Sequence, residues 1–266
     1  MTHAEFALAV RKDVLTMLHT SLESHIGSCY SAIDILTVLY NSILRYDSAN
    51  PQWEERDKFL LSKGHGVAAL YAVLARVGYF PMSKLALFCQ NGTDYQGHSR
   101  RDFIPGIEIS AGSLGHGLNI ATGMAYANRL KENSGHIYVL LGDGECNEGS
   151  VWEAVMFAKK HRLNNLTAVI DRNMLQAYGS DKQILDMGDL GQRFHVFGWQ
   201  VLDINGHDYN QIDNALRFRT DDAPVVVIAH TVKGKGISFM ENKHEWHFFS
   251  PDKEHFKEGM EELNNA

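Results

Sequence analysis

The stretch Ile137-Tyr138-Val139-Leu140-Leu141-Gly142-Asp143-Gly144-Glu145 (IYVLLGDGE) decides how this chain is read. Five apolar residues run straight into Gly-Asp-Gly, the pattern of a buried strand that stops at a turn. Gly149–Lys160 then carries a helical pattern, and a second apolar run, Leu166–Ile170 (LTAVI), ends in Asp171-Arg172-Asn173. Strand, turn, helix and strand together describe a parallel pair joined by a crossover. Both strands of such a pair finish at one edge of the sheet, where ligands of open α/β sheets sit. Asp143 and Asn173 therefore arrive there as neighbouring oxygen donors. Hard cations such as magnesium take these donors and usually keep waters and phosphate oxygens as well. The glycines let backbone approach a phosphate, and the helix N-terminus that follows favours negative charge. Taken alone, Gly142–Gly144 is also an ordinary turn; the specificity lies in the whole arrangement.

Outward from this segment, helical periodicity runs from Ala4 to Leu22, with Phe6, Val10, Val14, Met17 and Leu18 on one stripe. Ser31–Leu44 is expected as a second helix, with Ser31 as its N-cap and Asp34 three residues on. Phe59–Ser62 reads as a short buried strand and Gly66–Val77 as a helix. Leu114–Lys131 is a long helix whose early glycines and alanines imply a close neighbour. Downstream come a helix around Asp189–Phe197, a strand Gln200–Ile204, a helix Tyr209–Arg219 and a β-branched strand Val225–Ile228. Strands alternating with helices predict an α/β fold with a mostly parallel central sheet covered on both faces. Residues 1–266 are expected to form a single domain, with a polar tail from about residue 240 that turns helical near Pro251.

A chain of 266 residues, 44% hydrophobic and 21% charged, can bury a large core. Its net charge of −7 suggests no general attraction to nucleic acid or to membrane surfaces. No run approaches the roughly 18 apolar residues of a membrane span, and the N-terminal stretch is a polar-interrupted helix, not a signal peptide. Cys29, Cys89 and Cys146 are odd in number and widely spaced, which suggests a reducing, cytoplasmic setting. Cys146 lies close to Asp143 but reads as a chance thiol, because a hard cation prefers oxygen.

Fourteen histidines are many for this length. Four stand in or beside Gly-flanked turns or near the C-terminus: His25 in SHIG, His65 in SKGHG, His98 in QGHS and His247 in HEWH. A lone loop histidine is usually a surface residue. Four around an expected diphosphate site point to phosphate contact, when protonated, and to proton relay.

The strand–GDG–helix–strand–DxN arrangement resembles the thiamin diphosphate motif. By that resemblance Asp143 and Asn173 are side-chain ligands of a divalent metal (Mg2+, or Ca2+ or Mn2+), and Leu175 supplies a carbonyl. The series SHIG, SKGHG, QGHS, GSLGHG, GDGECNEGSVWEA, DRN and KGKG…WH is similar to the N-terminal domain of transketolase, from about residue 5 to 250. The resemblance is to a separately encoded N-terminal subunit, with a three-layer α/β/α thiamin diphosphate-binding fold. It implies that His65 contacts the cofactor diphosphate and that His25 and His98 face substrate hydroxyls and move protons. His247 would reach both diphosphate and substrate. Gly112, Ser113 and Leu114 would lie against the cofactor rings, with Leu114 packing on them. Gly142, Gly144 and Glu145 would belong to the cofactor-binding turn, Gly144 offering its N–H. Glu148 and Glu153 would join a proton-relay network at an interface. Glu148 also starts a helix, where the dipole alone favours a carboxylate. Glu153 is equally placed for a solvated face, His116 reads as structural, and Lys233-Gly234-Lys235-Gly236 as a loop with no direct role for either lysine.

The activity implied is transfer of a two-carbon ketol unit from a ketose or its phosphate to an aldose or its phosphate. The family's second domain, which grips the cofactor pyrimidine, is expected on a C-terminal partner subunit, in a two-plus-two heterotetramer that is inactive without it. Ser113, Met174, Ala177-Tyr178-Gly179 and Phe248 depart from the commonest family pattern. The alternatives are another thiamin enzyme, of the 1-deoxyxylulose-phosphate synthase or ketoacid dehydrogenase kind, or a non-catalytic cofactor-binding subunit.

Overall fold

The structure is a computed structural model that describes residues 1–266. Helix α1 (His3–Ser21) opens with a reciprocal box in which Thr2 and Glu5 cap one another. Helix α2 (Ile26–Val38) runs on into a widened turn, Leu39–Ile43. Strand β1 (Lys58–Leu61) leads through the turn Gly64–Gly66 into α3 (Val67–Arg76). Next come α4 (Gly117–Leu130), β2 (Ile137–Gly142), α5 (Gly149–Lys160) and β3 (Leu166–Arg172). A short helical turn α6 (Asp181–Ile184) and α7 (Leu190–Val196) precede β4 (Gln200–Asn205). The chain finishes with α8 (Tyr209–Arg217), β5 (Val225–His230) and α9 (Lys253–Asn264).

The five strands form one sheet in the order β1-β2-β3-β5-β4, and every pairing is parallel. Side chains alternate across it. Tyr138 and Leu140 of β2 join the core beneath α1, α2, α3 and α8, while Ile137, Val139 and Leu141 join the core beneath α4, α5 and α7. This is the expected three-layer α/β sandwich. No helix is long and apolar enough to cross a membrane.

Three sequence expectations shift. Helix α2 begins at Ile26, not at a Ser31 cap, and all its residues are buried. A helix buried on every side has no polar stripe to mark its start. Ser31 lies inside it, and its hydroxyl donates to Asp171 at 2.6 Å. Strand β3 extends past Ile170, so Asp171 is fully buried within the sheet, paired in register with Gly142. The segment 240–266, polar by composition, folds back on the domain: Met240, Trp246 and Leu263 are buried, and His19 of α1 stacks on Phe256 of α9 at 4.4 Å.

The small residues at the start of α4 do have a close neighbour. A Cβ on Gly117 would lie 2.8 Å from the Cα of Ser62, just beyond β1. Alanine is the better helix former by about 1 kcal/mol. Gly117→Ala is nevertheless expected to destabilise the chain by at least about 1 kcal/mol, because the clash is with backbone. Urea unfolding of the two proteins checks it.

Candidate active site

The carboxyl ends of β1, β2, β3 and β5 meet around one buried ion pair. Lys63, just past β1, is 1% exposed and pairs with fully buried Asp171 of β3. Its ammonium also donates to the Ser28 carbonyl of α2 at 2.9 Å. Asp171 accepts in addition from Ser31 of α2 and from Thr231 beyond β5. Lys63 precedes His65, Ser28 follows His25, Asp171 precedes Asn173, and Thr231 precedes Lys233. The pair thus ties together four segments that carry the candidate residues.

Above it lies a cleft of about 250 Å³. Four histidines from four parts of the chain converge there. The ring of His25 lies 5.4 Å from His65, 5.9 Å from His98 and 4.9 Å from His247, and His65 lies 5.3 Å from His247. Burial and the nearby lysines hold His65 well below its ordinary range. Burial, with His98 and the lysines adding to it, lowers His25 to about 4, and burial with Lys233 lowers His247 to about 3. In the protein alone these imidazoles are neutral near pH 7. A phosphate reaching these three rings would meet neutral N–H donors, where the sequence reading expected a protonated imidazole.

Opposite the histidines, Asp143, Asn173 and Leu175 line the same cleft. The Asp143 carboxylate accepts from Gly144 N at 2.8 Å and Met174 N at 2.6 Å, and Arg172 approaches at 3.3 Å. Burial and the neighbouring Asp171 raise its pKa. The Asn173 side-chain oxygen accepts from Leu175 N at 3.1 Å. Met174 between them sits at φ +63°, the left-handed region that favours glycine. One carboxylate and two neutral oxygens are hard donors that leave room for phosphate oxygens. No three His, Cys, Asp or Glu side chains cluster as a self-sufficient metal site. The space beside Gly142 is open at its Cβ position, whereas a Cβ on Gly144 would come 2.9 Å from Gln176. A metal-bridged diphosphate therefore fits both the donors and the backbone cradle.

The sequence passed over two participants. Lys233 is 1% exposed, and its ammonium donates to Leu175 O at 3.0 Å and Gln176 O at 3.3 Å and lies 3.3 Å from His247 Nδ1. Burial and Lys63 lower it to about 8. Ser28 lines the cleft 3.4 Å from His247. The sequence signals for Lys233, its place just after a strand and the KGKG resemblance, do not distinguish a buried lysine from a solvated one. Glu145 lines the cleft wall, but its carboxylate accepts from Ser62, from Gly115 N at 2.9 Å and from Gly142 N at 3.2 Å. It braces three site turns from within.

A profile of the family described as "Transketolase, thiamine diphosphate binding domain" matches residues 2–258. The chain belongs to the transketolase family. It is 37% identical to a subunit of the apulose-4-phosphate transketolase of Phocaeicola vulgatus, over 96% of this chain and 91% of that one. It is 38% identical to a 6-deoxy-6-sulfo-D-fructose transketolase subunit of a Clostridium species, over 97% and 94%. A solved transketolase from Leishmania mexicana superposes with a TM-score of 0.92 at 28% identity. The match covers 99% of this chain and 41% of that one. The domain class that matches is one that binds thiamin diphosphate.

On this transketolase domain, Gly112 and Leu114 line the cleft, while Ser113 faces an adjoining open groove of about 780 Å³ that shares His98 and Gly112. Glu148 occupies the N-cap position of α5 without a capping bond, and Glu153 follows about a turn and a half on; both are exposed and neither lines the cleft. Tyr178, 79% exposed, meets Phe248 at 5.2 Å beside His247, so the two aromatic departures from the family pattern form one lip.

Two expected outcomes follow from the histidines. His25 sits at φ +77°, a conformation costly for a residue with a side chain. His25→Gly should therefore raise stability by up to about 1 kcal/mol in thermal unfolding, even though the cluster is broken. Unfolded histidine titrates near 6.5, whereas His25 and His247 titrate near 4 and 3 when folded. The unfolded chain then binds more protons between those values, so stability falls as pH drops from about 6.5 toward 4. Unfolding midpoints at pH 7 and pH 5 should show this fall, and a His25→Asn/His247→Asn variant should show less of it.

Proposed function

We propose that this chain is the N-terminal subunit of a split transketolase, one domain over residues 1–266 that holds the diphosphate end of thiamin diphosphate. The observation that carries this is the convergence of four histidines on a cleft that Asp143, Asn173 and Leu175 also line. Relatives named as transketolase subunits match it along more than nine-tenths of their own length, which supports a separately encoded subunit.

Asp143, Asn173 and the Leu175 carbonyl would hold a divalent metal, magnesium by donor chemistry. Gly144 N–H, His65 and the ammonium of Lys233 would meet the diphosphate, and Gly112 to Leu114 would bear on the rings. When bound, thiamin diphosphate supplies a nucleophilic carbon and an electron sink for cleaving the bond beside a ketose carbonyl.

The chain's own part is positioning and proton handling. His25, His98 and His247 are placed to accept or return hydroxyl protons of a sugar or sugar phosphate in the cleft. A neutral imidazole is the form able to accept them. Ser24 steadies His25 through Oγ, 3.0 Å from Nδ1, and the His25 N–H donates to the His247 carbonyl at 3.0 Å. Two proton-handling residues are thus linked through backbone.

A partner subunit would grip the pyrimidine end and complete the site in a two-plus-two heterotetramer. Glu148 and Glu153 would stand at that contact, on the helix that also exposes Met156 and Phe157. The three free cysteines agree with a cytoplasmic setting.

With thiamin diphosphate, magnesium and ketose and aldose phosphates, ketol transfer is expected from the two subunits together and not from this chain alone. Full turnover by the chain alone would overturn the split reading, and pyruvate decarboxylation by the complex would reassign its class. Asp143→Ala should weaken cofactor binding by about a hundredfold or more in calorimetry, the scale of losing a charged ligand. Unchanged affinity with a native circular dichroism spectrum would show the metal assignment to be wrong.

A further inference from the structure

Behind the cleft lies a second buried polar cluster that the proton chemistry does not use. Asp34 of α2 is its centre. Arg11 of α1 grips it with two bonds, Nη1 to Oδ1 at 3.1 Å and Nη2 to Oδ2 at 2.7 Å. Tyr209 donates its hydroxyl to Oδ1 at 3.0 Å, and His207 Nδ1 lies 2.7 Å from Oδ2. Three side chains are turned toward one carboxylate, yet none of the four lines the histidine cleft.

The cluster makes two further bonds, and both go to the same loop. The backbone N–H of Val232 donates to His207 Nε2 at 2.8 Å. That fixes the tautomer: Nε2 is the acceptor, so the ring proton is on Nδ1 and is donated to Asp34. Arg11 Nε donates to the carbonyl of Lys235 at 3.0 Å. The residues between these two anchors are Lys233 and Gly234, and Gly234 N donates to the Gly27 carbonyl at 3.0 Å. The loop is held tightly: a Cβ on Gly236 would come 3.0 Å from Arg11 Nε, and one on Gly27 would come 3.1 Å from Lys233 Cγ.

What the loop carries is a buried ammonium with no carboxylate in ion-pair reach. Lys233 bonds only to the carbonyls of Leu175 and Gln176 and lies against His247. Desolvating such a charge costs several kcal/mol. A flexible lysine stem would swing it out to water unless its backbone were fixed from behind. We infer that Arg11, Asp34 and His207 are positioning residues: they clamp the Val232–Lys235 backbone so that Lys233 keeps its charge facing the cofactor diphosphate. The inference deepens the proposed function and rests on that reading of Lys233.

A double-mutant cycle on the full chain, assembled with its partner, tests it by calorimetric titration with thiamin diphosphate and magnesium. Lys233→Met and His207→Ala should each weaken affinity about tenfold, the scale of one bond to a charged group. The double variant should also be about tenfold weaker, because His207 acts through Lys233. A double variant about a hundredfold weaker, the additive result, would overturn the inference while leaving the proposed function standing. Lys233→Met binding as tightly as wild type would instead remove the role of Lys233 on which the inference rests. His207→Gln, whose amide oxygen can still accept from Val232, should recover most of the affinity. If the alanine variant does not fold, His207→Leu, which fills the space but cannot accept from Val232, replaces it in the cycle. A glutamine variant as weak as alanine counts against the clamp. Amide exchange in the free chain gives a readout that needs no cofactor: Val232 should exchange at least about tenfold faster in His207→Ala. Unchanged protection at Val232 would overturn the inference whatever the affinities.

Discussion

The site depends on the ion pair between Lys63 and Asp171. Two charges at the centre of a sheet edge cost several kcal/mol each to desolvate, and their attraction offsets this only with good geometry and further hydrogen bonds. Those bonds come from Ser31, Thr231 and the Ser28 carbonyl. Ser28 and Ser31 come from one turn of α2 and Thr231 from beyond β5, and both segments carry residues at or beside the cleft. Removing either charge would leave the other uncompensated, so the four segments are held to one arrangement. A hydrophobic pair of similar volume could match the stability, but it could not fix direction in the same way. The directional bonds place His25, His65 and Asn173 within reach of one cleft.

Around this anchor the protein sets charge and neutrality apart. His25, His65 and His247 are kept neutral by burial and by Lys63 and Lys233. Asp143 lines the same cleft, with Arg172 bridging it to Asp181. A polyanion entering this space would meet Lys63 and neutral N–H donors, with Lys233 beside His247, while a divalent cation would meet oxygens. The left-handed conformations at His25 and Met174 are a cost accepted at the same place. His25 stands where the chain turns into α2 and lines the cleft, and Met174 where it leaves β3, its N–H donated to the Asp143 carboxylate.

Much of this was legible in the sequence, and the exceptions have physical causes. IYVLL before Gly142 and LTAVI before Asp171 identified two neighbouring parallel strands because buried strands are uniformly apolar. Helix α5 was readable to the residue, Gly149–Lys160, because one face is apolar and the other solvated. Helix α2 was misplaced at its start because it has no solvated face. Lys233 was read as a loop lysine because charge in a sequence carries no record of burial. The polar composition of 240–266 concealed how Trp246 and Leu263 dock the segment, since a few apolar residues at helical spacing suffice. Glu145 was read with the cofactor turn it belongs to, but its carboxylate braces Ser62 and Gly115, partners far away in the chain.

By itself the sequence determined the α/β class, the parallel strand pair and the placing of Asp143 and Asn173 just past the two strand ends, and it singled out the four histidines that line one cleft. These follow from local rules: apolar runs, turns, and residue chemistry at strand ends. Tertiary structure alone decided that His65, His98 and His247 each lie within 6 Å of His25, and that His25, His65 and His247 are held neutral. It also decided that Lys63 and Lys233 are buried and that Asp34 supports the loop behind them. Proximity, burial and hydrogen-bond partnership are relations between distant segments. They arise only when the sheet brings its strand ends together and excludes water from the space between them.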